Sequence, residues 1–541
     1  MIRINCVTYF FICVSCTASF IIQENLTELS ILHINDFHAR YEETNIDSGL
    51  CKNKNCIGGF SRMYARIMKV FDKNPNLILL NAGDSFEGTL WYNVHKWNVT
   101  QYFLNKLPID ASTLGNHEFD DKIDGLVPFL RHLNAPVVVA NIDATEEPVV
   151  KNLLNKSVII ERRGIKIGII GVILSTTDEL VNVGNIILLK ELDSVNAEAA
   201  RLVKEEGVFT NIVLSHCGYD AEKEIARKSS SKISLIVGGH SHSFLYTGEP
   251  VPGPDQPVGP YPTVVKNSEG KTVLIVQASS YSKYLGNLTI SFNMNGEPVG
   301  WVGNSIFLDS TLSQDEEINE ELLLWKQEVD RQGNKVIGST LVRLKQSSCL
   351  TAECLMGNVI TDAMVFAYTD SPVAESWTNG PIAIMHAKGL RSDIDVGTDI
   401  TYNDIVTAQP FANTIDIGEV TGKHLKEILE SSVSTDNINL LQVSGMQVVY
   451  NLTKVEGSRV TCLKLRCRKC NAPVYENFDE NKTYPIILPS FLANGGFGFS
   501  LIKTYLRNRQ LGELDLSVFV RYIHRKSPIF QKIEGRIHVS R

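Results

Sequence analysis

The sequence has little that would anchor the chain to a membrane or attract it to nucleic acid. After the first 19 residues, no apolar run reaches the roughly 20 residues of a membrane-spanning helix. The last residues, IEGRIHVSR, lack the polar spacer and apolar tail of a lipid-anchor signal. Basic residues number 52 against 60 acidic ones, a net charge of −8, whereas nonspecific nucleic-acid binding depends on basic surface. We therefore expect no membrane anchor and no nucleic-acid partner.

The N-terminus has the pattern of a secretory signal peptide. Arg3 precedes an apolar stretch that extends to Cys16, and the small residues TAS at 17–19 suit cleavage by signal peptidase. This apolar stretch is short for a membrane anchor, which is the alternative interpretation. We expect residues 1–19 to be removed and the mature protein to be secreted. A glycosylated secreted protein also fits the six N-x-[ST] sequons, which begin at Asn25, Asn98, Asn155, Asn287, Asn451 and Asn481.

Cysteines are few outside the leader, and most of them come in close pairs. Of the 11 cysteines, three lie in the leader and eight follow it. In an oxidising compartment such pairs favour local disulfides, and we expect three: Cys51–Cys56, Cys349–Cys354 and Cys467–Cys470. The last pair could instead be half of a zinc knuckle, but a second half at a suitable distance is missing. Cys217 and Cys462 remain, either as buried thiols or as one long-range bridge.

The length of 541 residues predicts more than one domain. Residues 26–310 alternate strand-like apolar runs with helix-like stretches, which favours α/β layering, with a Pro/Gly-rich surface loop at 248–262. A polar helix is predicted at 313–336, begun by the capping-type Ser313, within a linker that we place at 311–336. Residues 337–541 again mix strands and helices. The predicted fold class is α/β with α+β elements.

Five short polar clusters stand out in the first of these regions. They are NDFH at 35–38, GDSFEG at 83–88, GNHEFD at 115–120, SHCGYD at 215–220 and GGHSH at 238–242. Four of them close an apolar run that is typical of a buried strand. Because α/β folds build their sites where strand ends meet at one edge of a sheet, we expect the clusters to converge.

The side chains in these clusters are suited to a site for two divalent metal ions. A strand-end Asp and His two residues apart can face the same way, and a carboxylate can bridge two ions. Zn²⁺, Mn²⁺ or Co²⁺ suits such nitrogen and oxygen ligands, and two ions can clamp a phosphate and activate a water. A single strand-end His is more often structural, but a coincidence across five clusters is improbable. The candidate ligands are Asp36, His38, Asp84, Asn116, His216, His240 and His242.

Two further residues of the third cluster are candidates for catalysis. His117 can approach a metal-bound phosphate and donate a hydrogen bond or a proton to it, and Asp120 can hold the imidazolium. Asp120 could alternatively cap a following helix. Glu87 and Glu118 are expected to be solvated or to support the ligands rather than to act in catalysis.

With these motifs the sequence resembles the animal 5'-nucleotidase family, which includes ecto-5'-nucleotidases and secreted salivary apyrases of blood-feeding arthropods. The resemblance extends from about residue 28 to residue 538. It implies an N-terminal calcineurin-like metallophosphoesterase sandwich, a linker helix and a C-terminal substrate-binding domain that rotates between open and closed forms. It also implies that the six residues from Asp36 to His240 named above are metal ligands, that His242 contacts metal or substrate, and that His117 and Asp120 form the catalytic dyad.

The resemblance further implies a nucleotide clamp in the second domain. Two aromatic rings that sandwich the base fall on Phe411 in QPFANT and Phe491 in PSFLANGG, although either could be an ordinary core residue. Arg391 in KGLRSD matches an arginine that contacts the substrate phosphate, a contact that suits its planar fork.

The clamp departs from the family pattern at several positions. The family's NGGGIR is HAKGLR here, which puts His386 in place of an asparagine and Lys388 in place of a glycine. Leu350 stands where an arginine is expected. The family's GGDGF is GGFGF, so Phe497 replaces an aspartate that holds the ribose hydroxyls, and the lost charge-assisted hydrogen bond is worth about 1.5–3 kcal/mol.

These observations favour a secreted apyrase that hydrolyses ATP and ADP, with two divalent ions as cofactor (zinc first, with manganese, cobalt or calcium as alternatives). Lys388 would pair with the extra negative charge of ADP or ATP. Release of the enzyme into saliva would suppress platelet aggregation. One alternative is a soluble 5'-nucleotidase that makes adenosine from AMP. Another is a platelet- or coagulation-inhibiting binding protein. Two observations count against it: the sequence has no RGD tripeptide, and Asp84 and His117 are intact.

Overall fold

The computed structural model describes residues 26–540 apart from positions 47, 52–54, 231, 370–375, 398, 412, 435–437 and 471–473. Residues 1–19, which the sequence predicts to be a signal peptide, lie outside this part, as does Asn25 of the first sequon. The described chain forms an N-terminal region and a C-terminal region, each with mixed α/β sheets, joined by one long helix. This agrees with the predicted fold class.

The N-terminal region alternates strands and helices. Its strands are β1 (Thr27–Ile34), β2 (Ile78–Asn81), β3 (Ala111–Ser112), β4 (Ile142–Asp143), β5 (Ser157–Arg162), β6 (Ile165–Ile173), β7 (Ile187–Leu188), β8 (Thr210–His216), β9 (Ile233–Val237), β10 (Thr263–Lys266), β11 (Thr272–Val276), β12 (Tyr284–Phe292) and β13 (Pro298–Phe307). Its helices are α1 (Phe60–Phe71), α2 (Leu90–His95), α3 (Trp97–Leu104), α4 (Lys122–His132), α5 (Pro148–Lys151), α6 (Thr177–Leu180), α7 (Glu191–Arg201) and α8 (Tyr219–Lys228).

Two sheets of this region pack face to face as a sandwich. One sheet has the order β13-β12-β1-β2-β3 and the other β10-β11-β9-β8-β6-β5, while β4 and β7 form a small separate pair. The inner core joins Ile31 and Leu80 of the first sheet to Ile169, Leu214 and Val237 of the second. Because both faces of the central strands are covered, their sequences contain nearly continuous apolar runs, as in the fully buried β9, ISLIV.

The parallel pairings place the ends of the central strands at common edges. Strands β1, β2 and β3 are parallel, as are β6, β8, β9 and β11. The first polar cluster directly follows β1, the second and third begin within three residues of the ends of β2 and β3, the fourth begins in the last residues of β8, and the fifth follows β9. The predicted loop at 248–262 contains no helix or strand.

A single long helix connects the two regions. Helix α9 (Glu316–Gly333) lies within the predicted linker and contacts α2. The prediction that Ser313 caps it was wrong. The cap is Asp315, whose carboxylate accepts the backbone N–H of Ile318 at 3.0 Å, because the helix begins later than the polar run suggests.

The C-terminal region is built around a second five-stranded sheet. Its strands are β14 (Val336–Ser339), β15 (Ile382–His386), β16 (Asp399–Thr401), β17 (Ile415–Thr421), β18 (Leu441–Ser444), β19 (Met446–Asn451), β20 (Val460–Arg466), β21 (Tyr475–Asn477), β22 (Thr483–Pro489), β23 (Arg507–Gln510) and β24 (Ile537–Ser540). Its helices are α10 (Leu355–Ala367), α11 (Tyr402–Ala408), α12 (Gly422–Ser431), α13 (Ser490–Ala493), α14 (Ser500–Tyr505) and α15 (Asp515–Lys526).

In this region the main sheet has the order β18-β15-β22-β17-β23, and smaller sheets have the orders β21-β20-β19-β24 and β14-β16. Helix α11 contacts α9 and α2, which ties the C-terminal region to the sandwich. Two of the residues expected to bind substrate lie at strand ends: His386 is the last residue of β15, and Phe491 lies in α13, which directly follows β22.

The three predicted disulfides are present. They join Cys51 to Cys56, Cys349 to Cys354 and Cys467 to Cys470, which excludes the zinc-knuckle alternative for the last pair. Cys217 and Cys462 are free thiols rather than a long-range bridge. Cys217 is buried, as expected of a leftover thiol, whereas Cys462 is exposed because it alternates outward along β20.

Candidate active site between the two regions

The polar clusters of the N-terminal region meet at one end of the sandwich and are tied together by backbone hydrogen bonds. The N–H of His38 donates to the carbonyl of Asp84 at 3.0 Å, and the N–H of His240 donates to the carboxylate of Asp36 at 3.0 Å. The N–H of His117 donates to the Asp84 carboxylate at 2.9 Å. Loops far apart in sequence are thus held in one arrangement.

The seven candidate metal ligands form one continuous cluster. Asp84 Oδ2 lies 3.0 Å from His216 Nε2 and 3.8 Å from His38 Nε2, so this carboxylate stands between two groups of ligands. Asn116 Oδ1 lies 2.9 Å from His240 Nδ1. Three overlapping groups have their ligand atoms within 4.8 Å of one another: Asp36, His38 and His242; His38, Asp84 and His117; and Asp84, His216 and His240.

The atoms of this cluster fit a site for cations. His216 Nε2 is buried and, despite its short distance from Asp84, makes no hydrogen bond of normal geometry. The Nε2 atoms of His38 and His242 face each other at 3.0 Å. Buried imidazole nitrogens directed at each other and at carboxylates are satisfied together by a divalent ion. The Asp and His groups are therefore suited to binding metal.

The backbone at these positions is in an uncommon conformation. Non-glycine residues rarely have a positive φ, and such strain clusters at functional sites. Here it occurs at five of the candidate ligands, namely Asp36 (50°), His38 (50°), Asp84 (54°), His240 (74°) and His242 (52°). The turns that end β1, β2 and β9 therefore direct ligand side chains into the cluster at a cost in backbone energy.

The electrostatics of the cluster favour the metal-binding forms of Asp84 and His240 but not that of His216. Burial alone would raise the pKa of Asp84, but His216 and His117 hold it well below its usual value. Burial, together with the charge of His216, lowers the pKa of His240 to about 3. Burial opposes protonation of His216, yet Asp84 and Asp36 raise its pKa to about 10, so this ring carries a proton that a metal ion would replace.

His117 and Asp120 form a hydrogen-bonded pair beside the cluster. Burial opposes protonation of His117, but Asp120 and Asp84 raise its pKa to about 9, so its imidazole is cationic at neutral pH. The Asp120 carboxylate does not cap the next helix, because the residue before α4 is Asp121. The arrangement allows His117 to donate a hydrogen bond into the cavity.

The two glutamates of these motifs are buried rather than solvated. The Glu118 carboxylate accepts the N–H groups of Ser85 at 2.7 Å and Gly115 at 2.6 Å, so it fixes the loops that carry the ligands. Burial, and then Asp120, raises the pKa of Glu87 to about 8. For Glu118 the support role expected from the sequence agrees with the contacts, while solvation was wrong because the loops fold over both side chains.

A cavity of about 690 Å³ lies between the two regions and joins the metal cluster to the expected substrate residues. Phe411 stacks on His117 with ring centroids 5.4 Å apart, and the Arg391 guanidinium lies 4.5 Å from the Phe411 centroid. The expected substrate residues that line this cavity are His386, Lys388, Arg391, Phe411, Phe491 and Phe497.

An aromatic group of the C-terminal region lines one end of the cavity. His386 lies 5.3 Å from Phe491 and 5.4 Å from Phe497, and the two phenylalanines are 5.0 Å apart, as measured between ring centroids. Burial lowers the pKa of His386 to about 3, so its ring is neutral. Lys388 Nζ lies 5.2 Å from the Phe497 ring and gives this end of the cavity a positive charge.

Sequence reasoning missed a wall of the cavity formed by the turn between β11 and β12. Tyr281 accepts a hydrogen bond from Arg391 at 2.7 Å, and Lys283 pairs with Asp255 at 2.7 Å. All of these residues except Arg391 lie in stretches, QASSYSK and PVPGPDQP, without a recognisable motif. No local pattern could have identified them.

Comparison with known proteins agrees with this geometry. The family model described as calcineurin-like phosphoesterase matches residues 29–244, and that for the 5'-nucleotidase C-terminal domain matches residues 336–504. The chain is 45% identical over 518 residues to an apyrase of Tabanus yao, and the alignment covers 94% of this chain and 93% of that protein. It is 37% identical over 525 residues to a 5'-nucleotidase of Rattus norvegicus, covering 95% and 91%. The chain belongs to the 5'-nucleotidase family.

Among solved structures, that of a 5'-nucleotidase precursor from Thermus thermophilus superposes with a TM-score of 0.84 at 33% identity, over 95% of this chain and 99% of that one. The predicted family and fold are confirmed, and the protein is a metal-dependent nucleotide phosphohydrolase. Among the residues that the structure describes, no helix is both long and apolar enough to cross a membrane.

Proposed function

We propose that the protein is a secreted apyrase that hydrolyses ATP and ADP to AMP and phosphate, with two divalent metal ions, zinc by preference, as its resident cofactor. The observation that carries this proposal is one cavity that joins the metal cluster to two cationic side chains, Lys388 and Arg391, of the C-terminal region. Lys388 offers a charge for a nucleotide with more than one phosphate. The relative from Tabanus yao is named an apyrase.

In this proposal the seven candidate ligands would hold the ions, and Asp84 lies between His38 on one side of the cluster and His216 on the other. When bound, such ions polarise phosphoryl oxygens and lower the pKa of a coordinated water. His117, cationic at neutral pH, donates a hydrogen bond to a phosphoryl oxygen, and Asp120 keeps the imidazolium oriented.

The C-terminal region binds the rest of the substrate. Phe411 and Phe491 both line the cavity, and we propose that they stack on the two faces of the base, for which Phe411 must leave its stack on His117. Such stacking gives affinity with little choice among bases. Arg391 binds a phosphate through its planar fork, and Lys388 binds the additional phosphate of ADP or ATP. We propose residues 26–310 and 337–541 as the two domains and 311–336 as the linker.

A substrate panel tests the proposal. Phosphate release is measured with ATP, ADP and AMP, before and after chelation and for His117→Ala. An apyrase releases phosphate from ATP and ADP and stops at AMP. Release from AMP alone would make the protein a 5'-nucleotidase, as the relative from Rattus norvegicus is named. An effect on platelets that survives His117→Ala would favour the binding-protein alternative.

Secretion is tested separately. The full chain expressed in insect cells should accumulate in the medium with an N-terminus at Phe20, since residues 1–19 are proposed to be removed. Retention of the product in the cell pellet with an intact leader would contradict this part of the proposal.

A further inference from the structure

Tyr281 connects the metal cluster of the N-terminal region to the arginine of the C-terminal region. Its hydroxyl accepts a hydrogen bond from Nη1 of Arg391 at 2.7 Å. Its ring centroid lies 5.5 Å from that of His38 and 5.2 Å from that of His242. Tyr281 therefore contacts two candidate metal ligands and the candidate phosphate-binding guanidinium at once.

The surroundings of Tyr281 hold it in one place. Its backbone N–H donates to the carbonyl of Asp36 at 2.8 Å, and the buried Arg40 guanidinium lies 4.5 Å from its ring centroid. The side chain is largely buried, with an exposed fraction of 8%. Its φ of 63° is unfavourable for an aromatic residue, a conformation that persists only where the surrounding structure imposes it.

Arg391 has hydrogen-bonding capacity beyond this contact. Its guanidinium rests on the Phe411 ring at 4.5 Å, and its Nε–H is buried without a hydrogen-bond partner in the described part of the chain. A guanidinium carries five N–H donors in a rigid fork, so a bond at Nη1 fixes the direction of the others. Both Arg391 and Tyr281 line the cavity beside the metal cluster.

We propose that Tyr281 is a positioning residue that orients Arg391 across the domain interface, so that the guanidinium presents its remaining N–H groups to the phosphate at the metal cluster. Tyr281 acts through Arg391 and not through the ions. The inference rests on the proposed function at one point, which is that the anion bound by Arg391 is a phosphate group of the substrate.

The first test is Tyr281→Phe, which removes the hydroxyl and keeps the ring. We expect the KM for ADP and the dissociation constant of inorganic phosphate, measured by calorimetry, to rise about tenfold, because a hydrogen bond to a charged group is lost. The metal content and kcat should stay within twofold of the parent. Loss of bound metal from the variant would overturn the proposal, since Tyr281 would then support the ligands.

A double-mutant cycle gives the decisive readout. In an Arg391→Ala background, Tyr281→Phe should have no further effect on phosphate affinity, because the group through which it acts is gone. Additive losses would overturn the proposal. If Tyr281→Phe does not fold, Tyr281→Met replaces it in the cycle.

Tyr284→Phe is the matched control. It removes a hydroxyl three residues away that donates to the carbonyl of Pro252 and accepts the N–H of Asp255. Neither Tyr284 nor Pro252 lines the cavity, and the variant should leave KM unchanged. Phosphate binding is measured independently of hydrolysis. If the parent protein binds phosphate but does not hydrolyse ADP, the proposed function fails while the coupling between Tyr281 and Arg391 is still tested.

Discussion

His117 Nδ1 lies 2.7 Å from Asp120 Oδ2, and this pair faces the same cavity as the candidate metal ligands. The carboxylate stabilises the imidazolium, so the proton on the ring is kept to a higher pH than in an ordinary histidine. If His117 acts as proposed, this hydrogen bond would set the pH dependence of the enzyme.

We predict that Asp120→Asn moves the alkaline limb of the kcat/KM profile to lower pH. Asp120 and Asp84 raise the pKa of His117 to about 9, against the effect of burial, and activity that needs the cation is lost as pH rises through this pKa. Without the Asp120 charge the pKa of His117 falls, so the loss of activity begins at a lower pH. His117→Ala should lower kcat by about 100-fold or more and remove this limb. An unchanged profile in Asp120→Asn would show that the pair does not set the protonation of His117.

We predict that Asp84→Asn lowers both the bound metal and the activity, because this carboxylate stands between the two ligand groups. Metal is measured by mass spectrometry after dialysis, and activity is measured with added zinc, manganese or cobalt. In the parent protein, chelation should abolish activity, and the ions should restore it. Asp220→Asn is the control, since this carboxylate belongs to a neighbouring motif but is 96% exposed. Full metal occupancy in Asp84→Asn would remove it from the ligand set.

We predict that Lys388→Ala raises the KM for ADP about tenfold and changes the KM of any residual AMP hydrolysis by less than twofold. The reason is that Nζ of Lys388 lies at the cavity end near Phe497, where a second phosphate has a cation to pair with. Initial rates over a range of both substrates give the comparison. Lys454→Ala, at an exposed turn outside the cavity lining, is the control. An equal rise in the KM for ADP and for AMP would contradict the proposal that Lys388 binds the second phosphate.

We predict that the protein hydrolyses ADP and 2'-deoxy-ADP with kcat/KM values within threefold of each other. Phe497 packs against His386 and Phe491 and offers no acceptor for ribose hydroxyls. Phe497→Asp should favour ADP about tenfold, because a carboxylate can accept charge-assisted hydrogen bonds from the sugar. Phe497→Leu, which adds no acceptor, should keep the two substrates equal. A strong preference of the parent protein for ADP over 2'-deoxy-ADP would mean that another group binds the ribose hydroxyls.

The parts of the site that the sequence could predict are those with a local signal. Asp36, Asp84 and His240 each follow an apolar run, and the parallel order of the strands then brings them together. Tyr281 could not be predicted, because its importance comes from Arg391, which lies 110 residues further along the chain. The burial of Glu118 likewise depends on loops that meet only in the folded protein.

Helix boundaries show the same limit on a smaller scale. The acidic residues at the start of α9 are sufficient to predict a helix but not its first residue, since Ser313 and Asp315 are both good caps by type. The contact between the Asp315 carboxylate and the Ile318 N–H decides between them. Such choices depend on how the preceding chain approaches the helix, which composition does not specify.

The left-handed turns that carry five candidate ligands make the catalytic centre a store of conformational energy, on the order of 1 kcal/mol for each such residue. Cations that bind only the folded chain offset this energy by mass action. Thermal stability and catalytic rate would thus both depend on metal binding at these five residues. In a fluid poor in divalent ions the enzyme would become easier to unfold as well as slower.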